Sequence, residues 1–242
     1  VGAQLRGLFC ARPRKRLLVA DYAQMELRMI AHFSQDAALL SAFAEEKDLH
    51  LVTAAAFAQT TYEELRDAYE AGDPKARELR SLGKTGNFAL IYGMAAPKFQ
   101  RYLLVNNGYK IAKDEAQRMI NQFNATYAGM TAWKERMICE AHASGFVRTI
   151  TGRKRRLPNL FAKDRILVME AERQAVNAII QGSCADLMNR ALVLIHHLLA
   201  PFGGYVLLQV HDEVVCEIDE RFAELGAKLV EQTMQAITTR LH

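Results

Sequence analysis

The sequence predicts a mixed α/β fold of the α+β kind, in which an antiparallel sheet is split by a large helical insertion. Three observations carry this. Arg16–Ala20 (RLLVA) is a short apolar run bounded by charge and ending at Asp21, as a strand would. The long middle of the chain places its apolar residues mostly at helical spacing. Near the other end, Tyr205–Val210 (YVLLQV) and Val214–Ile218 (VVCEI) flank His211-Asp212-Glu213, which reads as a hairpin with Asp212 at or near its tip.

The elements follow in order. From Tyr22 onward, Met25, Ile30 and Phe33, with Leu27 and Ala31 between them, outline a helix packed on one side. Residues 37–59 and 62–71 are rich in Ala, Leu and Glu and read as helical, the second ended by Gly72-Asp73-Pro74. A helix is expected over 75–92, and 113–123 and 129–143 again show helical spacing. Gly145 and the basic run 153–156 mark a loop or twisted hairpin. Residues 165–199 read as largely helical, with Gly182 a candidate interruption, and an amphipathic helix over 221–241 closes the chain.

Half of the 242 residues are hydrophobic, enough for one large domain or two small ones. The formal charge is only +4, but it is clustered: Arg12, Arg14, Lys15 and Arg16 in one place, Arg148, Arg153, Lys154, Arg155 and Arg156 in another. Such patches are an electrostatic footprint of phosphate binding, and equally of solvated loops. Cys10, Cys139, Cys184 and Cys216 are scattered, which speaks against a zinc site or disulfide framework and suits a reducing compartment. No apolar run is expected to span a membrane and no signal peptide opens the chain, so a cytoplasmic setting is expected. Val1 in place of Met leads us to expect a piece of something longer.

Two aspartates attract attention first. Asp21 ends a predicted strand and Asp212 sits at a predicted turn. If the two strands are neighbours, roughly 4.8 Å apart, both carboxylates share one sheet edge. Carboxylates that close repel unless cations share them, and hard oxygens beside a phosphate-bearing substrate are what magnesium requires. Either residue alone also fits a cap or a surface position.

Arg80, Lys84, Phe88 and Tyr92 recur at steps of four, so on a helix they form a stripe that winds by roughly 40° per step. Two cations followed by two aromatics suit a nucleotide, the cations meeting its phosphates and the aromatics its sugar and base. The competing reading is an amphipathic helix with the aromatics in the core. Gly83-Lys84-Thr85 is not a phosphate loop, because Glu78 stands where GxxxxGKT needs glycine. Arg173, Asn177 and Gln181, again at steps of four, could donate to minor-groove acceptors or form a solvated face.

Taken together, three segments resemble the signature motifs of family A DNA polymerases, the bacterial DNA polymerase I-like enzymes. Asp21–Arg28 (DYAQMELR) is similar to motif A, Arg80–Gly93 (RSLGKTGNFALIYG) to motif B, and Gln209–Glu213 (QVHDE) to motif C. Asp48-Leu49-His50, Thr151-Gly152-Arg153 and Gln181-Gly182 match connecting segments. The resemblance implies a polymerase right hand without a thumb. Palm would be 1–27 and 171–242, with its motif C hairpin at 205–218, and fingers 28–170, carrying the motif B helix at 80–93. It implies a DNA-templated DNA polymerase that extends a primer 3′-OH by two-metal-ion nucleotidyl transfer, in replication or repair.

The same resemblance implies residue roles. Asp21 and Asp212 would hold two Mg2+ ions, for which Mn2+ could substitute, with Glu213 in support. Lys84 would contact the triphosphate and protonate departing pyrophosphate, Arg80 would bind the terminal phosphate, and His50 would lie close to the phosphates. Phe88 would pack on the deoxyribose, Glu26 with Tyr92 would exclude a ribose 2′-OH, and Gln24 would lie near the incoming nucleotide. Arg173, Asn177, Gln181 and His211 would touch primer–template DNA. The implied partners are that DNA and deoxynucleoside triphosphates, with no membrane and a monomeric protein, in the cytoplasm of a bacterium or phage-infected host, or in an organelle. Glu26 and Phe88 argue against the related single-subunit RNA polymerases, and intact Asp21, Asp212, Lys84 and Arg80 argue against a non-catalytic DNA-binding remnant. Ala23 and Met25 depart mildly from the usual motif A. Gly83 and Gly86 depart from motif B; each costs about 1 kcal/mol against Ala in a helix, so a locally loose helix that Gly86→Ala would stiffen is expected.

Overall fold

The structure, a computed structural model, describes residues 7–239. Residues 1–6 and 240–242, which the expected segments 1–27, 171–242 and 221–241 include, lie outside the described residues. The chain divides into two compact units. One holds the chain up to Glu26, Arg148–Arg153 and everything from Ile179 onward; the other holds Leu27–Val147 and Lys154–Ala178.

The first unit is built on a three-stranded antiparallel sheet of β1 (Lys15–Asp21), β4 (Tyr205–Val210) and β5 (Glu213–Asp219), in the order β1-β5-β4. Central β5 buries Val214, Cys216 and Ile218. Helix α10 (Ala223–Thr239) packs on β1 and β5. Gly226 allows that approach, since a Cβ there would meet Ile218 Cδ1 at 2.6 Å and Leu18 Cδ1 at 3.1 Å. Glu217 is buried in the same sheet and accepts from the Arg12 backbone N–H, the Arg12 guanidinium and the Tyr205 hydroxyl.

The second unit is helical: α1 (Met25–Ser34), α2 (Ala37–Ala44), α3 (Leu49–Ala58), α4 (Tyr62–Glu70), α5 (Pro74–Leu90), α6 (Ala96–Asn107), α7 (Lys113–Thr126) and α8 (Ala128–Ser144). The helix expected over 37–59 is therefore two. Glu46 takes a left-handed φ of 52°, and the Asp48 carboxylate caps α3 at the His50 and Leu51 amides. Helix α6 was not anticipated. Its N-cap, Ala95, makes no side-chain hydrogen bond, and its buried stripe is only Ala96, Phe99 and Leu103.

The basic stretch forms a hairpin, β2 (Phe146–Arg148) with β3 (Lys154–Arg156). Helix α9 (Arg165–Leu199) follows, and the unit boundary falls inside it, between Ala178 and Ile179. Gly182 does not interrupt it. A Cβ there would lie 2.7 Å from Thr149 Cγ2, so the glycine admits the 149–153 loop against the helix. Contrary to the sequence expectation, Arg165–Phe202 is by length and composition alone long and apolar enough to cross a membrane, with a mean hydropathy of 1.3 over an 18-residue window. Within the fold 44% of that window is buried.

Candidate active site

In the first unit the sheet register decides where the carboxylates go. Asp21 pairs with Glu213 at the end of β1, and Val210 pairs with Glu213 across the hairpin, leaving only His211 and Asp212 in the turn. His211 adopts a φ of 58°, the left-handed backbone a two-residue hairpin loop requires at its first position. The Tyr22 amide donates to the Asp212 carbonyl at 3.3 Å, tying the end of β1 to the turn. Tyr22 is itself anchored, its hydroxyl donating to the Met234 carbonyl of α10 at 2.9 Å, and burial pushes its pKa up to about 12.

Asp21 and Asp212 thus share one end of the sheet. Burial, the negative charges of Asp212 and Glu213, and a hydrogen bond with the Asp212 carboxyl raise the Asp21 pKa, only partly offset by the Tyr22 amide. Glu26, half-buried at the start of α1, belongs to the same neighbourhood: burial and the charges of Glu26 and Asp212 push the Cys184 thiol up to about 12. Gln24 is exposed in the turn before α1 with a φ of 55°. Gln181 and His211 are exposed in this unit.

In the second unit, α3 and α5 cross unusually closely. A Cβ on Gly83 would lie 2.1 Å from the His50 carbonyl oxygen and 2.9 Å from the Ala54 nitrogen, and one on Gly86 would lie 2.6 Å from the Phe57 ring. These glycines let two backbones touch, which corrects the expectation of a loose helix. The buried face of α5 (Gly83, Gly86, Asn87, Leu90) is spent on this contact, and Arg80, Lys84 and Phe88 lie along its flank, beside the start of α3. Phe88 is 52% exposed, not in the core as a plain amphipathic helix would have it. Helix α5 ends at Leu90, so Tyr92 sits in the turn beyond it, half-buried.

His50 joins this face. Its ring centroid is 6.4 Å from that of Phe88, and burial lowers its pKa, with the Arg80 and Lys84 charges acting in the same sense and Asp48 opposing them. Arg80 Nε donates to Asp48 Oδ2 at 2.7 Å, and its guanidinium lies over the Tyr69 ring. Asp48 therefore caps α3 with one oxygen and holds Arg80 with the other. Arg173 and Asn177 lie on α9 within this unit; Asn177 Oδ1 is buried without a partner among the described residues.

Much of the two basic clusters is committed to structure. Arg12 pairs with Glu217, and Lys15 donates to the Gly203 carbonyl. Asp186 gathers Thr149, Thr151 and Arg153 at 2.6, 2.6 and 2.7 Å, and Lys154 lies over the Phe146 ring. Arg155 and Arg156 are exposed.

The model of DNA polymerase family A matches residues 1–242. The chain belongs to DNA polymerase family A. It is similar to the thermostable DNA polymerase I of Thermus filiformis, at 39% identity over 97% of the chain and 26% of that relative. It is also similar to DNA polymerase I of Pseudomonas aeruginosa, at 37% identity over 98% of the chain and 24% of the relative. Among solved structures, the POL domain of Pol1 from M. smegmatis in complex with DNA primer-template and dNTP superposes with a TM-score of 0.85. It is 31% identical, over 98% of this chain and 39% of that one. The family A chain thus spans about a quarter of the length of these curated relatives.

Sequence reasoning missed several residues that build the α3–α5 face. Asp48 was visible only within a matching tripeptide, though an Asp immediately before an apolar helical run is a cap signal. Asn87, Thr53 and Tyr127 carry a buried polar network, and Lys134 donates to the Leu90 carbonyl at the end of α5. No local pattern marks them, because their partners lie far away in sequence.

Proposed function

We propose that this chain is the palm and fingers part of a DNA-templated DNA polymerase that adds deoxynucleotides to a primer 3′-OH. The observation that carries the reading is the β1–β5 register with the Tyr22–Asp212 bond, which sets two carboxylates side by side at a sheet end. The first unit corresponds to the palm and the second to the fingers. Bacterial relatives support a cytoplasmic setting, in replication or repair, and we read the working form as a monomer.

The reaction joins the primer 3′ oxygen to the α-phosphorus and breaks the bond from that phosphorus to the bridging oxygen, releasing pyrophosphate. Asp21 and Asp212 fit divalent cations, magnesium first and manganese as its substitute. They are crowded hard-oxygen donors: burial first, and then the charges of Asp212 and Glu213, raise the Asp21 pKa, and a bound cation would relieve the repulsion. Magnesium keeps few protein ligands, and a phosphate-bearing substrate would bring further oxygens of the kind it takes. Two such ions, when bound, supply activation of the attacking hydroxyl and neutralisation of the leaving group.

This chain's own side chains do the rest. Lys84 meets the triphosphate and gives a proton to the departing pyrophosphate. Arg80, with Nε held by Asp48, keeps its two terminal nitrogens for the terminal phosphate. His50 lies by the phosphates and exposed Phe88 packs on the deoxyribose. Glu26 with Tyr92 refuses a 2′-OH, Gln24 lies near the incoming nucleotide and Glu213 supports the aspartates. Arg173, Asn177, Gln181 and His211 touch the primer–template.

The test is single-nucleotide primer extension by the full encoded protein with magnesium, using deoxy- and ribonucleotides in parallel. Extension with deoxynucleotides alone is expected. Tight primer–template binding without extension would refute the reading.

A further inference from the structure

The deepest polar cluster in the second unit is not accounted for by any of these roles. Asn87 is 3% exposed on α5, and its Nδ2 lies 3.1 Å from the Leu49 carbonyl and 3.1 Å from His50 Nδ1. Its Oδ1 lies 2.6 Å from the Thr53 hydroxyl, which is 2.8 Å from the Tyr127 hydroxyl. The amide orientation follows from chemistry. The Leu49 carbonyl can only accept, so the atom facing it must be the NH2 group, and the flipped amide would set two acceptors together.

The remaining Nδ2 proton then faces His50 Nδ1, which must be an unprotonated acceptor. The Thr53 hydroxyl can donate to Asn87 Oδ1 at 2.6 Å or to the Leu49 carbonyl at 3.1 Å, the shorter contact being to Asn87, and it can then accept from Tyr127, whose hydroxyl burial keeps protonated with a pKa of about 12. With Nδ1 committed, the one N–H left on the His50 ring is at Nε2. The close α3–α5 crossing at Gly83 fixes the register in which this occurs.

We propose that Asn87 is a positioning residue that locks His50 as the neutral Nε2–H tautomer, so that the ring presents a hydrogen-bond donor to the nucleotide triphosphate. The triphosphate half of this statement rests on the polymerase reading above; the tautomer lock does not. The charged groups acting on His50 are Asp48 at the cap of its own helix and Arg80 and Lys84 on α5; burial, aided by the two cations and opposed by Asp48, also favours the neutral ring.

Asn87→Asp separates the alternatives. A carboxylate accepts only, so His50 must bring a proton to Nδ1. Below its raised pKa the ring keeps Nε2–H as an imidazolium; above it, Nε2 becomes an acceptor facing phosphate oxygens. Nitrogen-15 spectra of the full encoded protein, with His50 assigned from His50→Gln, are expected to show the Nε2–H tautomer in wild type and an Nδ1–H ring in Asn87→Asp. In primer extension, the variant-to-wild-type ratio of KM for the deoxynucleotide is expected to climb about 10-fold between pH 7 and 9, the loss of one hydrogen bond to a charged group. A wild-type His50 carrying its proton on Nδ1 overturns the lock, and needs no variant to fold. A switched tautomer with a flat KM ratio overturns the positioning role. Wild-type protein that shows the Nε2–H ring but extends no primer instead refutes the polymerase reading and leaves the lock standing.

Discussion

Adding one methyl group at Gly83 tests how the fingers-like unit is built. Two effects oppose each other. A glycine in mid-helix costs about 1 kcal/mol relative to alanine, so Gly83→Ala on an isolated helix would stabilise. In the structure the new Cβ would sit 2.1 Å from the His50 carbonyl oxygen and 2.9 Å from the Ala54 nitrogen, both backbone atoms of α3. Neither can rotate away, so the helices must separate by about 1 Å, at an overpacking cost of about 3 kcal/mol, the upper end of the usual range because backbone must move. The net effect is destabilisation by about 2 kcal/mol, or a fall in Tm of roughly 4–8 °C for a chain of this size. Urea and thermal unfolding would measure it, with His50 spectra reporting displacement of that ring. A Tm equal to or above wild type would refute the close-crossing account and restore a loose helix.

Other substitutions follow the same reasoning. Gly86→Ala should also destabilise, but by less, about 1 kcal/mol, because the Phe57 ring it meets is a side chain that can shift a little; a raised Tm would contradict this. Gly182→Ala presses on Thr149 Cγ2 at 2.7 Å and should loosen the 149–153 loop, read as faster amide exchange at Ile150, whose N–H donates to Ser183. Lys134 is held by burial at a pKa of about 8, below its ordinary 10.5, so its fold favours the neutral amine. Stability should therefore rise between pH 8 and 10.5, by up to about 3 kcal/mol, and be lost as pH falls through 8. Lys134→Met should abolish that dependence in denaturant titrations. Glu26→Ala should admit ribonucleotides on the order of 10–100-fold more readily in primer extension, the range one recognition contact provides.

The sheet was legible because strand signals are local. RLLVA before Asp21 and the two runs flanking His211-Asp212 gave β1, β4 and β5 nearly to the residue. That β1 pairs with β5 was only a condition of the sequence reading, and the register supplies it. Helix breaks were less visible. The run from 37 to 59 looks continuous, and only the Asp48 cap and a left-handed Glu46 divide it. The glycines of α5 were misread for a physical reason: propensity describes an isolated helix, whereas Gly83 and Gly86 are set by a neighbour whose distance no local pattern encodes. Likewise the stripe of Arg80, Lys84 and Phe88 could be found by counting fours, but Asn87 is chosen by Leu49, His50 and Thr53 on another helix.

The central claim is that Asp21 and Asp212 form the catalytic pair of a nucleotidyl transferase. The most direct measurement is single-turnover primer extension by the full encoded protein carrying Asp212→Asn, with primer–template affinity measured on the same samples. Asparagine keeps the turn and its size and removes one negative charge. Extension is expected to be lost while DNA binding stays within about threefold of wild type, since a carboxylate contributes no attraction to phosphates. Extension at a rate close to wild type would contradict it.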